Sequence, residues 1–240
     1  MVVASKARLG GRHMTRHANA APLQGTGGVD ALVAEFVESW RGLEGDAWIA
    51  RGGRDDVCHA IGEAVRTMVG DGGPETRRRV LAWATADLAS LELPGLLAEL
   101  GCEYVPWPSG SGGGAEVAGA EAAAPTAAGL LNLAAASDIG ITTCSWAVAE
   151  TGTIALYATP ATGRLPSLLP TAHLALVRPS QVVKTVADGL RLLADHVARQ
   201  DGPPSAVNLV SGPSRSADIE GDLAVGVHGP RRAGVIIGDW

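Results

Sequence analysis

Apolar residues recur along this chain with two different periods, and the alternation between them predicts most of the architecture. From Val29, the positions Leu32, Val33, Phe36, Val37 and Trp40 fall on one stripe of a helix. The same rhythm returns over Asp55 to Val69 through Val57, Ile61, Val65 and Met68. Leu91 to Leu100 predicts another helix, with Gly101 suited to its C-terminal cap. Val182 to Val197 predicts a long one, through Val183, Val186, Leu190, Leu193 and Val197. Between these lie short apolar runs of strand length at Val80 to Ala84, Tyr104-Val105, Asp138 to Thr142, Gly152 to Ala158, Ala172 to Val177, Ala206 to Val210 and Gly234 to Ile237. Ser145 to Glu150 reads as a short helix. Strands separated by helices predict an α/β fold, Rossmann-like, with a largely parallel sheet covered by helices and ligands at the carboxyl ends of its strands.

Two stretches break the pattern. Residues 1–26 scatter Lys6, Arg8, Arg12 and Arg16 among small residues and run into a Gly-Thr-Gly-Gly turn, so a flexible leader is expected there. Residues 108–126 are rich in glycine and alanine and cannot supply a buried face, which predicts an exposed loop within a single domain spanning 27–240.

Composition narrows the function classes. Glycine, at 32 of 240 residues, is nearly twice its usual ~7% share, as expected of a domain with many tight turns. Nineteen basic against 25 acidic residues give a net charge of −6, which disfavours nucleic acid and anionic membrane surfaces as partners. No apolar run reaches the ~18 residues of a membrane span and the N-terminus has no apolar signal core, so a cytoplasmic location without membrane insertion is expected. Cys58, Cys102 and Cys144 are more than forty residues apart, without a CxxC pair, and the six histidines show no metal spacing. No cofactor and no metal site are expected.

Four segments carry candidate chemistry. In Ala149-Glu150-Thr151-Gly152-Thr153 a carboxylate stands before a glycine turn, where it serves either as nucleophile or general base, or as an acceptor for turn amides. Arg164, in a loop with Pro166 and Pro170, presents a fork suited to carboxylate or phosphate; an internal salt bridge to Glu150 is the alternative. The run Ser211 to Glu220, which follows a strand and opens a helical turn, offers Ser214, Arg215 and Ser216 as an anion cradle, with Asp218 in the first turn. His228, between Gly226 and Gly229, suits proton transfer or charge stabilisation, or else is structural. Cys144, before an expected helix, has either a lowered thiol pKa or a structural role, and the absence of a motif around it favours the second. A GxGxxG dinucleotide turn is absent, which argues against a stand-alone nicotinamide enzyme.

Taken together, Ser137 to Thr142, Ala149 to Thr153, Arg164 with Leu168-Leu169-Pro170, Gly212 to Glu220 and Gly226 to Pro230 resemble the lactate utilization protein C family, whose defining module is the LUD domain. The likeness is strongest over about residues 137–239. Ser216 stands where threonine is common in that family. The resemblance implies a NagB/RpiA/CoA-transferase-like fold and a cluster-free subunit of an L-lactate oxidation system, working with iron–sulfur lactate utilization proteins that carry the electrons. In that reading the chain is an accessory component rather than a stand-alone enzyme, with a small carboxylate or phosphate as ligand. The alternative is an enzyme of the same fold acting on a carboxylate, coenzyme A ester or sugar phosphate, with Glu150 as nucleophile and His228 stabilising charge. Thr151, Gly152, Thr153, Arg164, Ser214, Arg215, Ser216 and Asp218 are then the ligand-binding candidates. Both readings expect Glu150, Arg164, Ser214, Arg215, Asp218 and His228 to converge on one cleft.

Overall fold

The computed structural model describes residues 28–69, 78–107, 126–199, 203–217, 223–226 and 228–240. The expected leader, Asp218, and nearly all of the expected loop at 108–126 lie outside them. In chain order the elements are α1 (Val29–Gly42), β1 (Asp46–Ile49), α2 (Arg54–Val69), β2 (Arg78–Trp83), α3 (Ala86–Ala89), α4 (Leu93–Glu99), β3 (Cys102–Trp107), α5 (Ala127–Ala135), β4 (Ile139–Thr143), β5 (Trp146–Val148), β6 (Thr153–Ala158), β7 (Ala172–Val177), β8 (Val182–Val183), α6 (Val186–Arg199), β9 (Ala206–Val210), β10 (Arg215–Ala217), β11 (Leu223–Val225) and β12 (Arg232–Ile237). Single 3-10 turns cover Leu165–Ser167 and Pro179–Gln181.

Six strands form a wholly parallel sheet in the order β1-β12-β7-β4-β2-β3. The chain leaves β2 in one direction toward β3 and returns on its other side as β4, which is the switch of a doubly wound fold. Strands in such a sheet are covered on both faces, which is why β7, with the sequence Ala-His-Leu-Ala-Leu-Val, is buried at every position. A second sheet, β8-β5-β6-β9, divides its side chains between two cores. Ala147, Ile154 and Leu156 join the main core, while Trp146, Val148, Ala155 and Tyr157 pack with Val186 and Leu193 of α6. The Trp146 indole N–H donates to the Tyr157 hydroxyl at 2.8 Å, so the polar tips of both rings are satisfied inside that smaller core.

Three expectations are corrected. The segment expected as a helix over Ser145 to Glu150 contains strand β5, paired antiparallel with β6 through Trp146↔Ala155, Ala147↔Ile154 and Val148↔Thr153. Six residues nucleate a helix poorly, and cross-strand pairing decides the matter. The long helix begins at Val186 rather than Val182, because Val182 and Val183 pair with Ala147 and Val148 as β8. Its start is set by a reciprocal cap: the Asp188 carboxylate accepts the Thr185 N–H at 3.1 Å, and Asp188 N–H donates to the Thr185 hydroxyl at 3.2 Å. The Thr185 hydroxyl, which donates to the Asp188 carboxylate at 2.7 Å, and after it the Thr185 N–H hold the Asp188 carboxyl below its ordinary pKa. Finally, the helical turn expected after Ser211 is the antiparallel pair β10–β11.

Two contacts fix how the loops lie. Gly140, the second residue of β4, has the Pro166 carbonyl oxygen 1.7 Å from where a Cβ would stand, so the 3-10 turn presses directly on the strand backbone. At the amino edge, the Asp138 carboxylate accepts the Arg79 N–H at 2.8 Å and pairs with the Arg78 guanidinium at 3.4 Å, tying β2 to the start of β4.

Candidate functional site

Most of the candidate residues gather where α1 ends and β12 begins. The β5–β6 turn approaches the end of α1 so closely that a Cβ on Gly152 would stand 2.6 Å from the Trp40 nitrogen. On either side of that glycine, the Thr153 hydroxyl lies 2.8 Å from the Thr151 hydroxyl and 2.8 Å from that of Ser211, a series of three hydroxyls joining the turn to the end of β9. Ser211 was not among the sequence candidates; its hydroxyl is brought in by the β6–β9 pairing, a long-range event. Beyond it, the Ser214 N–H donates to the Pro230 carbonyl at 2.9 Å and its own carbonyl accepts the Gly226 N–H at 3.0 Å. Arg215 donates to the Leu43 carbonyl and lies 3.6 Å from the Glu44 carboxylate, so its guanidinium braces the α1–β1 connection. Ser216 pairs with Ala224 through the β10–β11 ladder. His228 is exposed beside these residues. Asp218 lies outside the described residues.

Two candidates point elsewhere. Although Glu150 neighbours Thr151, its carboxylate oxygen accepts the Val186 N–H at 3.1 Å, which places the charge on the first turn of α6. An anion there compensates unpaired amides and the helix dipole. Arg164 is exposed, and Gly163 before it accepts the indole N–H of Trp83, the last residue of β2, at 2.9 Å. It therefore stands toward the carboxyl edge of the parallel sheet, whereas Ser214 is held at the amino edge through Pro230, just before β12. The Arg164 guanidinium has no partner among the described residues, and the alternative salt bridge to Glu150 is not formed. The expected single cleft is thus divided by the sheet itself.

Exchange of Glu150 for glutamine is expected to leave the protein folded, because the amide oxygen still accepts the Val186 N–H. The loss is expected to be at most ~1 kcal/mol, the value of one charge at a helix start, read from urea unfolding.

The thiols are structural in their surroundings. Cys144 follows β4 with no helix after it; its sulfur lies 3.6 Å from the Gln181 side-chain oxygen, and the Gln181 amide donates to the Cys144 carbonyl at 2.7 Å. Burial pushes its thiol up to about 12, the opposite of an activated cysteine. Burial also raises Cys58 and Cys102. Among the described residues, no three His, Cys, Asp or Glu side chains are placed to hold a metal ion, and no helix is long and apolar enough to cross a membrane.

One polar pair escaped the sequence reading. His173, the second residue of β7 and 1% exposed, has its Nε2 2.9 Å from the Thr142 hydroxyl on β4. Burial lowers its pKa to about 4, so the ring is neutral at physiological pH. Nothing local in His-Leu-Ala-Leu marks this histidine as buried; its neighbour comes from another strand.

The model of the LUD domain family matches residues 74–237. The chain is similar to lactate utilization protein C of Bacillus licheniformis, with 43% identity over 101 residues that cover 42% of each chain. It is also similar to lactate utilization protein C of Halalkalibacterium halodurans, with 44% identity over 108 residues covering 45% of this chain and 47% of that one. The matched part spans less than half the length of these curated relatives. Among solved structures, a DUF162 family protein from Deinococcus radiodurans shares the fold at a TM-score of 0.55 and 23% identity, over 88% of this chain and 98% of that one.

Proposed function

The chain belongs to the LUD domain family, and on that premise we propose that it is a cluster-free accessory component of an L-lactate oxidation system. In this reading lactate loses two electrons and two protons to become pyruvate, and iron–sulfur partner proteins receive the electrons. The names of its relatives support the lactate association. Three cysteines, two of them buried, fall short of the four thiolates that usually hold an iron–sulfur cluster, which supports placing the clusters on partners. The observation that favours an accessory role over group transfer is the placement of Glu150. One oxygen accepts an amide at the start of α6. The other oxygen stays free, so what weighs against a nucleophile is placement: the carboxylate lies in solvent on the first turn of α6, bonded to none of the other candidate side chains among the described residues.

The test is a pull-down of the tagged full chain from lactate-grown source cells, with lactate-dependent dye reduction measured on the eluate. Coloured, cysteine-rich partners should co-elute with activity that the purified chain alone lacks, and Glu150→Gln should retain most of it. Turnover of a thioester by the purified chain, abolished in Glu150→Gln, would instead establish the transferase reading.

A further inference from the structure

Gly226, Gly229 and Pro230 close on Ser214. Besides the two backbone hydrogen bonds to Pro230 and Gly226, the Ser214 Cβ and Oγ lie 3.2 and 3.5 Å from where a Cβ on Gly229 would stand. Gly226 adopts a left-handed φ of 82°, and a Cβ there would meet the Arg231 Cγ at 2.1 Å. The stem of Arg231 therefore lies directly on the Gly226 backbone, which is itself bonded to Ser214. Any other residue at 226 would be strained and would displace that stem.

Two polar groups flank these glycines, the half-buried Ser214 hydroxyl at Gly229 and the exposed Arg231 guanidinium whose stem lies on Gly226, and the exposed His228 stands next to Gly229 in the chain. None has a hydrogen bond or ion pair among the described residues. The neighbouring arginines differ. Arg215 is engaged by Leu43 and Glu44, and Arg232 by the Thr67 carbonyl and, at 2.8 Å, by the Asp46 carboxylate. Arg215, the candidate cation of this run, is thus committed to the α1–β1 connection, and Arg231 takes its place.

A guanidinium presents parallel N–H groups that fit the two oxygens of a carboxylate or phosphate, and a serine hydroxyl and a histidine ring can each add a donor. We propose that Ser214, His228 and Arg231 form an oxyanion site that takes the carboxylate or phosphate group of a small metabolite. The close contacts at Gly226 and Gly229 hold the hydroxyl and the arginine stem in position before the ligand arrives, which lowers the entropy lost on binding. The site is argued from the loop alone and stands apart from the lactate reading; within that reading the anion is the carboxylate of a hydroxy or oxo acid.

The experiment titrates the full chain with L-lactate and, separately, with inorganic phosphate, followed by calorimetry. Saturable binding of either probe is expected, lactate alone marking a carboxylate site and phosphate alone a phosphate site. Arg231→Gln should weaken it at least tenfold, Ser214→Ala by a few-fold, and Arg231→Lys by an intermediate factor, since a lysine keeps the charge without the fork. Arg199→Gln, which removes the same charge from α6, should bind as the unaltered chain does. Both Arg231 variants should melt with the unaltered protein, because the Arg231 backbone, not its side chain, bonds to Thr171. Absence of saturation by both probes up to about 50 mM, or equal binding by Arg231→Gln, overturns the site. A chain that binds a probe yet recovers no partner in the pull-down keeps the site and loses the lactate reading.

Discussion

Alanine at position 140 is expected to destabilise the protein by at least ~3 kcal/mol, enough to remove much of a typical domain's stability. A methyl group there would stand 1.7 Å from the Pro166 carbonyl oxygen and 2.7 Å from its carbon. A flexible side chain meeting such a group would swing aside, at the ~1–3 kcal/mol usual for overpacking. Here the obstacle is backbone. β4 has no room to yield, since it is bonded in register to β2 on one side and β7 on the other. The 3-10 turn must lift, and with it go the bond from Trp83 to Gly163 and the cover over the sheet face that also carries His173. Urea unfolding of Gly140→Ala should show the loss as an earlier midpoint. Gly95→Ala supplies the contrast: Gly95 lies inside α4 with nothing within 4 Å of its added methyl, so alanine there should be neutral or stabilising by up to ~1 kcal/mol. Equal effects at the two positions would contradict the argument.

Acidification between about pH 6.5 and 4 is expected to weaken the fold through His173. In the unfolded chain this histidine takes up a proton near 6.5, whereas in the folded protein burial lowers the value to about 4. Within that window the unfolded state binds the extra proton, so stability rises with pH and is lost as pH falls. A difference of about 2.5 pH units at ~1.4 kcal/mol each gives roughly 3 kcal/mol between the two ends of the window. His173→Gln keeps a polar partner for Thr142 and removes the titration. It should be less stable than the unaltered chain at neutral pH, through altered packing, but should lose less on acidification. Unfolding midpoints of both proteins at pH 7.5, 5.5 and 4.5 give the comparison, and carboxylates common to both cancel from the difference. Identical pH slopes would show that His173 does not drive the acid loss.

The site divides along the same line as these two residues. Thr151, Gly152 and Thr153 announce themselves by a turn motif, and in the structure the Thr153 hydroxyl meets that of Ser211, three residues before Ser214. Glu150 is one position away, yet its carboxylate serves a helix whose first residue lies 36 positions later in the chain, a contact no local motif predicts. Arg164 and Arg215 were equally plausible cations on paper. The parallel sheet separates Arg164 from the others, Glu44 and Leu43 occupy Arg215, and Arg231 emerges only because Gly226 lets its stem lie flat.

By itself the amino-acid sequence determined the alternation of helices and buried strands, the family likeness over its C-terminal part, and the absence of a cysteine framework. These depend on periodicity and residue identity, which are local properties. α1, α2, β6, β7 and β9 stand within a residue or so of where the apolar pattern puts them. Tertiary structure alone decided that Trp146-Ala147-Val148 is a strand, that Val182-Val183 joins it, and that the run after Ser211 leads into strand β10, paired antiparallel with β11. Short apolar segments satisfy helix and strand equally well until a partner strand supplies hydrogen bonds. The same reason governs the polar groups: whether a carboxylate, an arginine or a histidine is free, engaged or buried depends on residues that only folding brings within 3 Å of it.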